Sequence, residues 1–247
     1  YQYRLNKITT LLILAVAMGI PVVLILRQPD FGTAAVFIFF LALMIFYAGL
    51  HWGYIVAALV LVAVATPIVY QHLSPMQQDR ILNFLNPMRD VMKSGYQTYQ
   101  GLIAIGSGKL FGKGFLHGTQ TQYGFIPERD TDYIFAVLAE EFGLVGAGVL
   151  IFLYAVMLLR ILLIAKRAKD MFSRTLCVGV AAMQFIHIFE NIGMTIGVMP
   201  LTGIPLPFLS NGGTFQLINL LSIGMILCIS TQRKPLDFNA PEPSFSR

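Results

Sequence analysis

Charged residues are scarce in this sequence: Asp, Glu, Lys and Arg together make up 12% of its 247 residues. A soluble domain usually carries about a quarter charged residues, so the composition argues against a soluble globular protein. The chain is 56% hydrophobic and has a mean hydropathy of +0.71, which indicates a membrane protein surrounded by membrane lipid. We expect no nucleic acid partner from the net charge of +5, because cationic residues of membrane proteins collect in cytoplasmic loops.

Cysteine is also scarce, and both cysteines, Cys177 and Cys228, fall within apolar runs. This placement predicts small buried side chains and not an exported disulfide. No signal peptide, internal repeat or period-two alternation is visible, and the last absence favours a helical bundle over a barrel. The sequence opens on the polar stretch YQYRLNK without an initiator Met, so we expect it to begin partway through a longer protein.

Long apolar runs dominate what is present. A membrane-spanning helix needs about 20 mostly apolar residues, and six segments approach or exceed that length. The sequence therefore predicts an all-α, polytopic transmembrane bundle of about six spans that forms one domain over residues 1–247. The six runs are residues 8–26, 31–50, 54–73, 133–165, 176–199 and 215–230.

Three basic clusters predict the orientation of these spans. The short loop KRAKDMFSR at residues 166–174, the opening YRLNK and the ending TQRKP all fall on one side of the predicted bundle. The positive-inside rule assigns that side, with both termini, to the cytoplasm. The protein is then a multi-pass membrane protein, and its large loop at residues 74–132 faces the outside.

This large loop is long for a structureless connection, since loops above about 15 residues are usually functional or disordered. Residues 96–105 have the composition of a short interfacial helix. The glycine-rich stretch IGSGKLFGKGFLHG contains Lys109 and Lys113, and glycine backbone with ammonium groups suits phosphate binding. A purely structural loop explains the same stretch equally well.

The stretch IPERDTDYIFAVLAEEFG holds five of the twelve carboxylates of the chain. Asp132 precedes an apolar helix, which suits the N-cap of that helix, a carboxylate facing a substrate headgroup, or both roles together. Glu140 lies about 12 Å further along a helix and Glu141 on the opposite face, which excludes a close acid–base pair with Asp132.

Glu128, Asp130 and Asp132 alternate along the chain and would share one side of an extended segment. Three carboxylates on one side could hold a divalent cation such as Mg²⁺ or Mn²⁺. They could equally form a solvated acidic rim that Arg129 balances.

Other polar residues stand at the ends of the remaining runs or within them. Pro29 and Gly32 predict a tight turn between the first two runs, in which Asp30 or Thr33 caps the next helix. Arg27 and Asp30 could also pair with groups of the large loop. His187 and Glu190 share one face of the fifth run, as a structural contact or as a proton relay. Ser210 belongs to the Pro- and Gly-rich segment at residues 203–213, which suits the lining of a cavity.

Several long motifs in order resemble the SEDS family (shape, elongation, division and sporulation) over essentially the whole chain. They are RQPDFGTA, AIGSGKLFGKGF, GTQTQYGFIPERDTDYIFAVLAEEFG, NIGMTIGVMPLTGIPLPFLSNGG and STQRK. The motif AVLAEEFG favours the elongation branch of the family over the division branch. Family members have ten spans, so we expect this chain to match the last six.

The resemblance implies a peptidoglycan glycosyltransferase of the bacterial plasma membrane that polymerises lipid II beside a class B penicillin-binding protein. The large loop would then face the extracellular or periplasmic side. The family's catalytic Asp corresponds to Asp132. Departures from the family pattern are Asp130 in place of His, Asn211 in place of Tyr and Thr214 in place of Ser. The expected metal ligands are Glu128 and Asp130. The expected substrate-binding residues are Arg27, Asp30, Lys109, Lys113, Glu128, Arg129, Ser210 and Gly212.

Two other functions stay open at this point. A flippase for the same lipid would place polar residues along the spans, whereas the charges here concentrate in one loop. A noncatalytic scaffold for the crosslinking enzyme would not need the Asp132 carboxylate.

Overall fold

The computed structural model describes residues 8–28, 30–72, 75–85 and 95–231. These residues form helices joined by turns and contain no strand, which confirms the predicted all-α class. The helices are α1 (Ile8–Arg27), α2 (Phe31–Tyr47), α3 (Trp52–His72), α4 (Pro75–Leu85), α5 (Tyr96–Ser107), α6 (Thr119–Gln122), α7 (Ile134–Arg167), α8 (Met171–Thr195) and α9 (Gly213–Thr231).

Four of the described helices are long and apolar enough to cross a membrane: α1, α7, α8 and α9. The apolar helix α2 has 17 residues and α3 has 21. The total of about six spans therefore remains a prediction, while the helical and apolar character of each predicted run is found in the structure.

The large loop is partly helical. It contains α4, α5 and α6, and the helix predicted at residues 96–105 is found as α5, while its interfacial position stays a prediction. Residues 73–74 and 86–94 of this loop lie outside the described residues, as do the basic clusters YRLNK and QRKP.

Helix α8 packs against both α2 and α7. Val36 of α2, Ile186 of α8 and Ile204 form one buried cluster, which draws the segment after α8 onto the start of α2. Gly32 is needed at this junction, because a Cβ there would lie 2.9 Å from Ile204 and from Thr202. The beginning of α2, the end of α8 and the segment at residues 200–212 therefore meet at one end of the bundle.

Helix α7 is broken at Gly143, whose backbone is not helical (φ 67°, ψ −164°). The first part, residues 134–142, is short. The second part, residues 144–167, has a length of about 36 Å at 1.5 Å per residue, which exceeds the roughly 30 Å hydrocarbon core of a bilayer. The second part is therefore long enough to cross a membrane without the first part.

The glycine-rich loop at residues 108–118 fills this break with its own backbone. Its amides bond to the carbonyl groups at the end of the first part, and its carbonyls accept from the amides that begin the second part. The bonds are Lys113 N to Glu140 O (3.0 Å), Gly114 N to Glu141 O (3.0 Å), Leu144 N to Lys109 O (2.9 Å) and Val145 N to Leu110 O (3.1 Å).

Replacing Gly143 with Ala is expected to destabilise the protein by clearly more than about 1 kcal/mol, since the backbone there suits only glycine. The added Cβ would also lie 2.4 Å from the Gly112 nitrogen. Thermal unfolding in detergent measures the loss. Gly148→Ala is the control, because that helical position has open space around its Cα. Equal melting temperatures for the two variants would contradict this account of the break.

Candidate active site

Asp132 lies on a backbone turn at residues 128–133, immediately before α7. The amides of Asp132 and Tyr133 both donate to the Glu128 carbonyl, at 3.1 and 3.0 Å. Helix α7 begins at Ile134 and its N-cap is Tyr133, which makes no side-chain cap bond. The N-cap interpretation of Asp132 is therefore wrong, and the carboxylate is not used to begin the helix.

Two buried polar side chains from elsewhere in the chain hold this turn. Asn191 of α8 donates from Nδ2 to the carbonyl of Asp132 (2.8 Å) and to that of Ile204 (2.7 Å). The Ser210 hydroxyl donates to the Thr131 carbonyl at 2.6 Å and accepts from an amide of its own segment. Ser210 thus lies at the site, as the sequence predicted, but its hydroxyl is committed to the backbone.

Two further contacts complete the support. The backbone N–H of Asn211 donates to the backbone carbonyl of Asp130 at 2.8 Å. The ring of Tyr133 is fully buried against α5, where a Cβ at Gly101 would lie 2.7 Å from it. Elements distant in sequence therefore position the backbone of Asp132, which preorganises its side chain for chemistry.

The Asp132 side chain is half-buried and lies beside Gly203, where an added Cβ would be 3.4 Å from Oδ2. Partial burial raises the pKa of Asp132 above its ordinary value, and the negative charge of Glu128 adds to the rise. A hydrogen bond from Thr131 and the positive charge of Arg80 act in the opposite direction without cancelling it. The result is a carboxylate that is more basic than one in water.

Arg80, on α4, is a site residue that the sequence did not identify. Its charge reaches Asp132 although 52 positions separate them in the chain. No motif surrounds it, and the only available signal was a basic residue in the first polar stretch of the large loop.

The predicted metal ligands do not form a three-carboxylate site. The turn at residues 128–133 is not extended, so alternation does not place Glu128, Asp130 and Asp132 on one side. Asp130 instead lies 3.6 Å from the Arg129 guanidinium. The described parts of the chain contain no group of three His, Cys, Asp or Glu residues suited to a metal ion. We assign no step of the chemistry to a metal.

Lys113 has a partner within the chain. Its ammonium lies 2.7 Å from the carboxylate of Glu140, which is 0% exposed. The same carboxylate accepts from the amides of Gln120 (2.9 Å) and Thr121 (3.1 Å). The glycine-rich loop thus uses its lysine and several amides to anchor itself to α7, which favours the structural interpretation over a phosphate loop. The ammonium of Lys109 is exposed.

The remaining predicted residues lie around the same end of the bundle. Asp30 is confirmed as a helix cap: its carboxylate accepts from the Thr33 amide (3.0 Å) and hydroxyl (2.7 Å). Arg27 is exposed at the end of α1, and Gly212 is half-buried just before α9. The Arg129 guanidinium donates to the Thr121 carbonyl.

His187 and Glu190 do not form the predicted structural contact. His187 bonds to the Pro205 carbonyl, and its ring lies 5.0 Å from that of Phe215. Within the described chain, His187 Nδ1 and Glu190 Oε2 are buried without a hydrogen-bond partner.

Comparison with known proteins identifies the family. The model of a family described as "Cell cycle protein", FTSW_RODA_SPOVE, matches residues 1–235. The chain belongs to this family. With four helices of membrane-spanning length and composition among its described residues, it is a multi-pass membrane protein.

Two curated relatives illustrate the similarity. The chain is 43% identical over 222 residues to the peptidoglycan glycosyltransferase MrdB of Escherichia coli, covering 90% of this chain and 60% of MrdB. It is 38% identical over 207 residues to the stage V sporulation protein E of Bacillus subtilis, covering 84% and 56%. The chain thus spans about 60% of the length of such relatives.

Solved structures of similar proteins support the same family assignment. A chain of a peptidoglycan synthase complex is 30% identical, with a TM-score of 0.77, and the match covers 93% of this chain and 64% of that one. RodA of Thermus thermophilus, a rod shape determining protein, is 25% identical, with a TM-score of 0.61 and coverage of 92% and 59%.

Proposed function

We propose that the protein is a peptidoglycan glycosyltransferase that polymerises lipid II into glycan strands during cell-wall elongation and the maintenance of cell shape. Its relative MrdB of Escherichia coli is a peptidoglycan glycosyltransferase, which supports the reaction class. The observation that carries the proposal is the position of Asp132. It is a half-buried carboxylate with a raised pKa, on a turn held by Asn191 and Ser210, and it caps no helix.

In the proposed reaction, the 4-hydroxyl of one sugar attacks the anomeric carbon of another, and a lipid pyrophosphate leaves. Asp132 acts as the general base that removes the hydroxyl proton as the new bond forms. A single displacement that converts an α-linked donor into a β-linked product inverts the anomeric carbon and needs one carboxylate. No covalent intermediate is required.

Positive charge would stabilise the departing pyrophosphate. Arg27 and Lys109 are exposed and suit this role, and Arg80 is a third cation near Asp132. Lys113 supports the loop by holding Glu140, so its contribution to the substrate is indirect.

The proposed topology follows the basic clusters: both termini are cytoplasmic, and the Asp132 turn faces the extracellular or periplasmic side. The undecaprenyl tails of lipid II would lie between helices in the lipid phase. A class B penicillin-binding protein is the proposed partner, since a similar chain occurs in a peptidoglycan synthase complex.

One experiment separates this function from a flippase or a scaffold. The full-length protein and its partner are reconstituted in vesicles with labelled lipid II, and polymer formation and transbilayer movement are measured together. Polymer without movement is the expected result. Movement without polymer would favour the flippase, and neither activity would favour the scaffold.

The pH dependence of polymerisation is expected to respond in opposite directions to two substitutions. The general base works only when ionised, so kcat/KM falls as pH decreases through the pKa of Asp132. Glu128→Gln removes a charge that raises this pKa and should shift the acid limb to lower pH. Arg80→Gln removes a charge that lowers it and should shift the limb to higher pH. Initial rates between about pH 4 and 8 measure both, and shifts of the same sign would contradict the assignment.

A further inference from the structure

A groove borders the Asp132 turn at Arg129 and Asp130 and runs from there along the first part of α7. Its volume is about 380 Å³, and its walls are mostly apolar. They come from the glycine-rich loop (Phe115), from α7 (Leu138, Phe142) and from the segment after α8 (Leu209). The rings of Phe115 and Phe142 lie 6.1 Å apart and form one aromatic wall.

Glu141 lines this apolar groove, and no contact within the fold explains why a carboxylate is buried there. The residue is 4% exposed, and its side chain has no hydrogen bond or ion pair with any described residue. Its neighbour Glu140 is also buried but has Lys113 and two amides as partners. A buried carboxylate without a partner is costly, so a cationic group in the groove would relieve the cost.

The groove also carries a positive group. Arg129 lines it and is held by the Thr121 carbonyl and, at 3.6 Å, by Asp130. The groove is therefore bordered by the Glu141 carboxylate, which is unpaired among the described residues, and by the Arg129 guanidinium with the exposed Asp130 carboxylate beside it. This pattern complements a zwitterion that joins an ammonium group to a phosphate.

With the part of α7 after the break as its membrane-spanning segment, the groove lies just outside that segment, at the surface of the bilayer. The glycine-rich loop beside it exposes apolar side chains that suit insertion into lipid: Leu110, Phe111 (81% exposed), Phe115 and Leu116. Phe115 and Leu116 belong both to this exposed set and to the groove wall. The groove is thus continuous with the lipid phase, which favours a lipid over a soluble ligand.

We propose that this groove binds the headgroup of an aminophospholipid, phosphatidylethanolamine. The primary ammonium donates to the Glu141 carboxylate and lies against the ring of Phe115, while the phosphate faces Arg129. A quaternary choline has no N–H to donate, and a glycerol headgroup has no cation. This site is independent of the glycosyltransferase proposal.

Lipid binding to the purified full-length protein tests the proposal without an activity assay. Native mass spectrometry in detergent measures retention of dioleoyl phosphatidylethanolamine against the matching phosphatidylcholine and phosphatidylglycerol. We expect phosphatidylethanolamine to bind about tenfold more tightly, because a charge-assisted hydrogen bond distinguishes it. Glu141→Gln should abolish this preference. Equal retention of the three lipids, or a preference that survives Glu141→Gln, would overturn the proposal.

A second pair of variants tests whether the lipid binds in this groove even if Glu141→Gln fails to fold. Phe115→Ala removes one wall of the groove, and we expect it to weaken phosphatidylethanolamine binding about threefold. Phe111→Ala removes the same ring from the same loop outside the groove and should leave binding unchanged. Equal effects of the two substitutions would show that the lipid binds elsewhere.

Discussion

Replacing Asp132 with Asn in the full-length protein is expected to lower the rate of lipid II polymerisation by about 10² to 10⁴-fold, the usual contribution of a general base. Asn keeps the size of the side chain and leaves the backbone bonds from Asn191 and Ser210 intact. The substitution therefore removes the proton acceptor without rebuilding the turn. Initial rates of glycan formation with the partner present measure the effect.

The same variant is expected to be more stable than the natural protein at neutral pH. The pKa of Asp132 is raised in the folded state, so the fold favours the protonated form. The stability that protonation contributes is present at low pH and is lost as pH rises through the folded pKa. Asn is neutral at every pH and avoids this loss. A lower melting temperature at pH 7 would show that the carboxylate is structural.

Replacing Glu140 with Ala is expected to cost about 3 kcal/mol, near the lower end for removing one partner of a buried ion pair. The substitution leaves the amides of Gln120 and Thr121 without their acceptor and removes the counter-charge of the Lys113 ammonium, which keeps only the Thr119 hydroxyl (2.6 Å). Lys113 is 26% exposed and regains some water, which limits the loss. The melting temperature in detergent should fall by about 6–12 °C.

Glu141→Ala is the matched control for this prediction. It removes an equally buried carboxylate one position along the same helix, but one that has no partner among the described residues. We expect a loss of about 1 kcal/mol or less, because no hydrogen bond is broken. Equal melting temperatures for the Glu140→Ala and Glu141→Ala variants would show that Glu140 does not anchor the glycine-rich loop.

The sequence predicted the apolar helices well because each spanning segment is a local property of the chain. A run such as residues 8–26 has one physical solution in lipid, a helix that satisfies its own backbone. The helix α5 and the cap at Asp30 are likewise local, since the residues that determine them are adjacent.

The sequence could not predict which polar groups meet. Lys113 and Glu140 are 27 positions apart, and their pairing depends on the break at Gly143 that admits the glycine-rich loop. A glycine inside an apolar run gives no sign that the helix stops there. Local periodicity also suggested an extended run of carboxylates before α7, whereas amide bonds to the Glu128 carbonyl fold that segment into a turn.

The support of Asp132 is also nonlocal. Asn191 lies 59 positions and Ser210 79 positions beyond the residues whose carbonyls they hold. Family resemblance identified Asp132 and Ser210, but it assigned Asn191 and Arg80 no role. Their contribution becomes visible only when the segment after α8 and helix α4 are placed beside the turn.

The most direct test of the account compares three carboxyl-to-amide variants of one turn, Glu128→Gln, Asp130→Asn and Asp132→Asn, in the full-length protein with its partner. The measurement is the initial rate of polymer formation from lipid II at neutral pH. The account predicts that Asp132→Asn alone loses at least about 100-fold, while Asp130→Asn keeps most of its activity and Glu128→Gln shows a smaller change. A variant Asp132→Asn that polymerises lipid II at a near-natural rate would contradict the account.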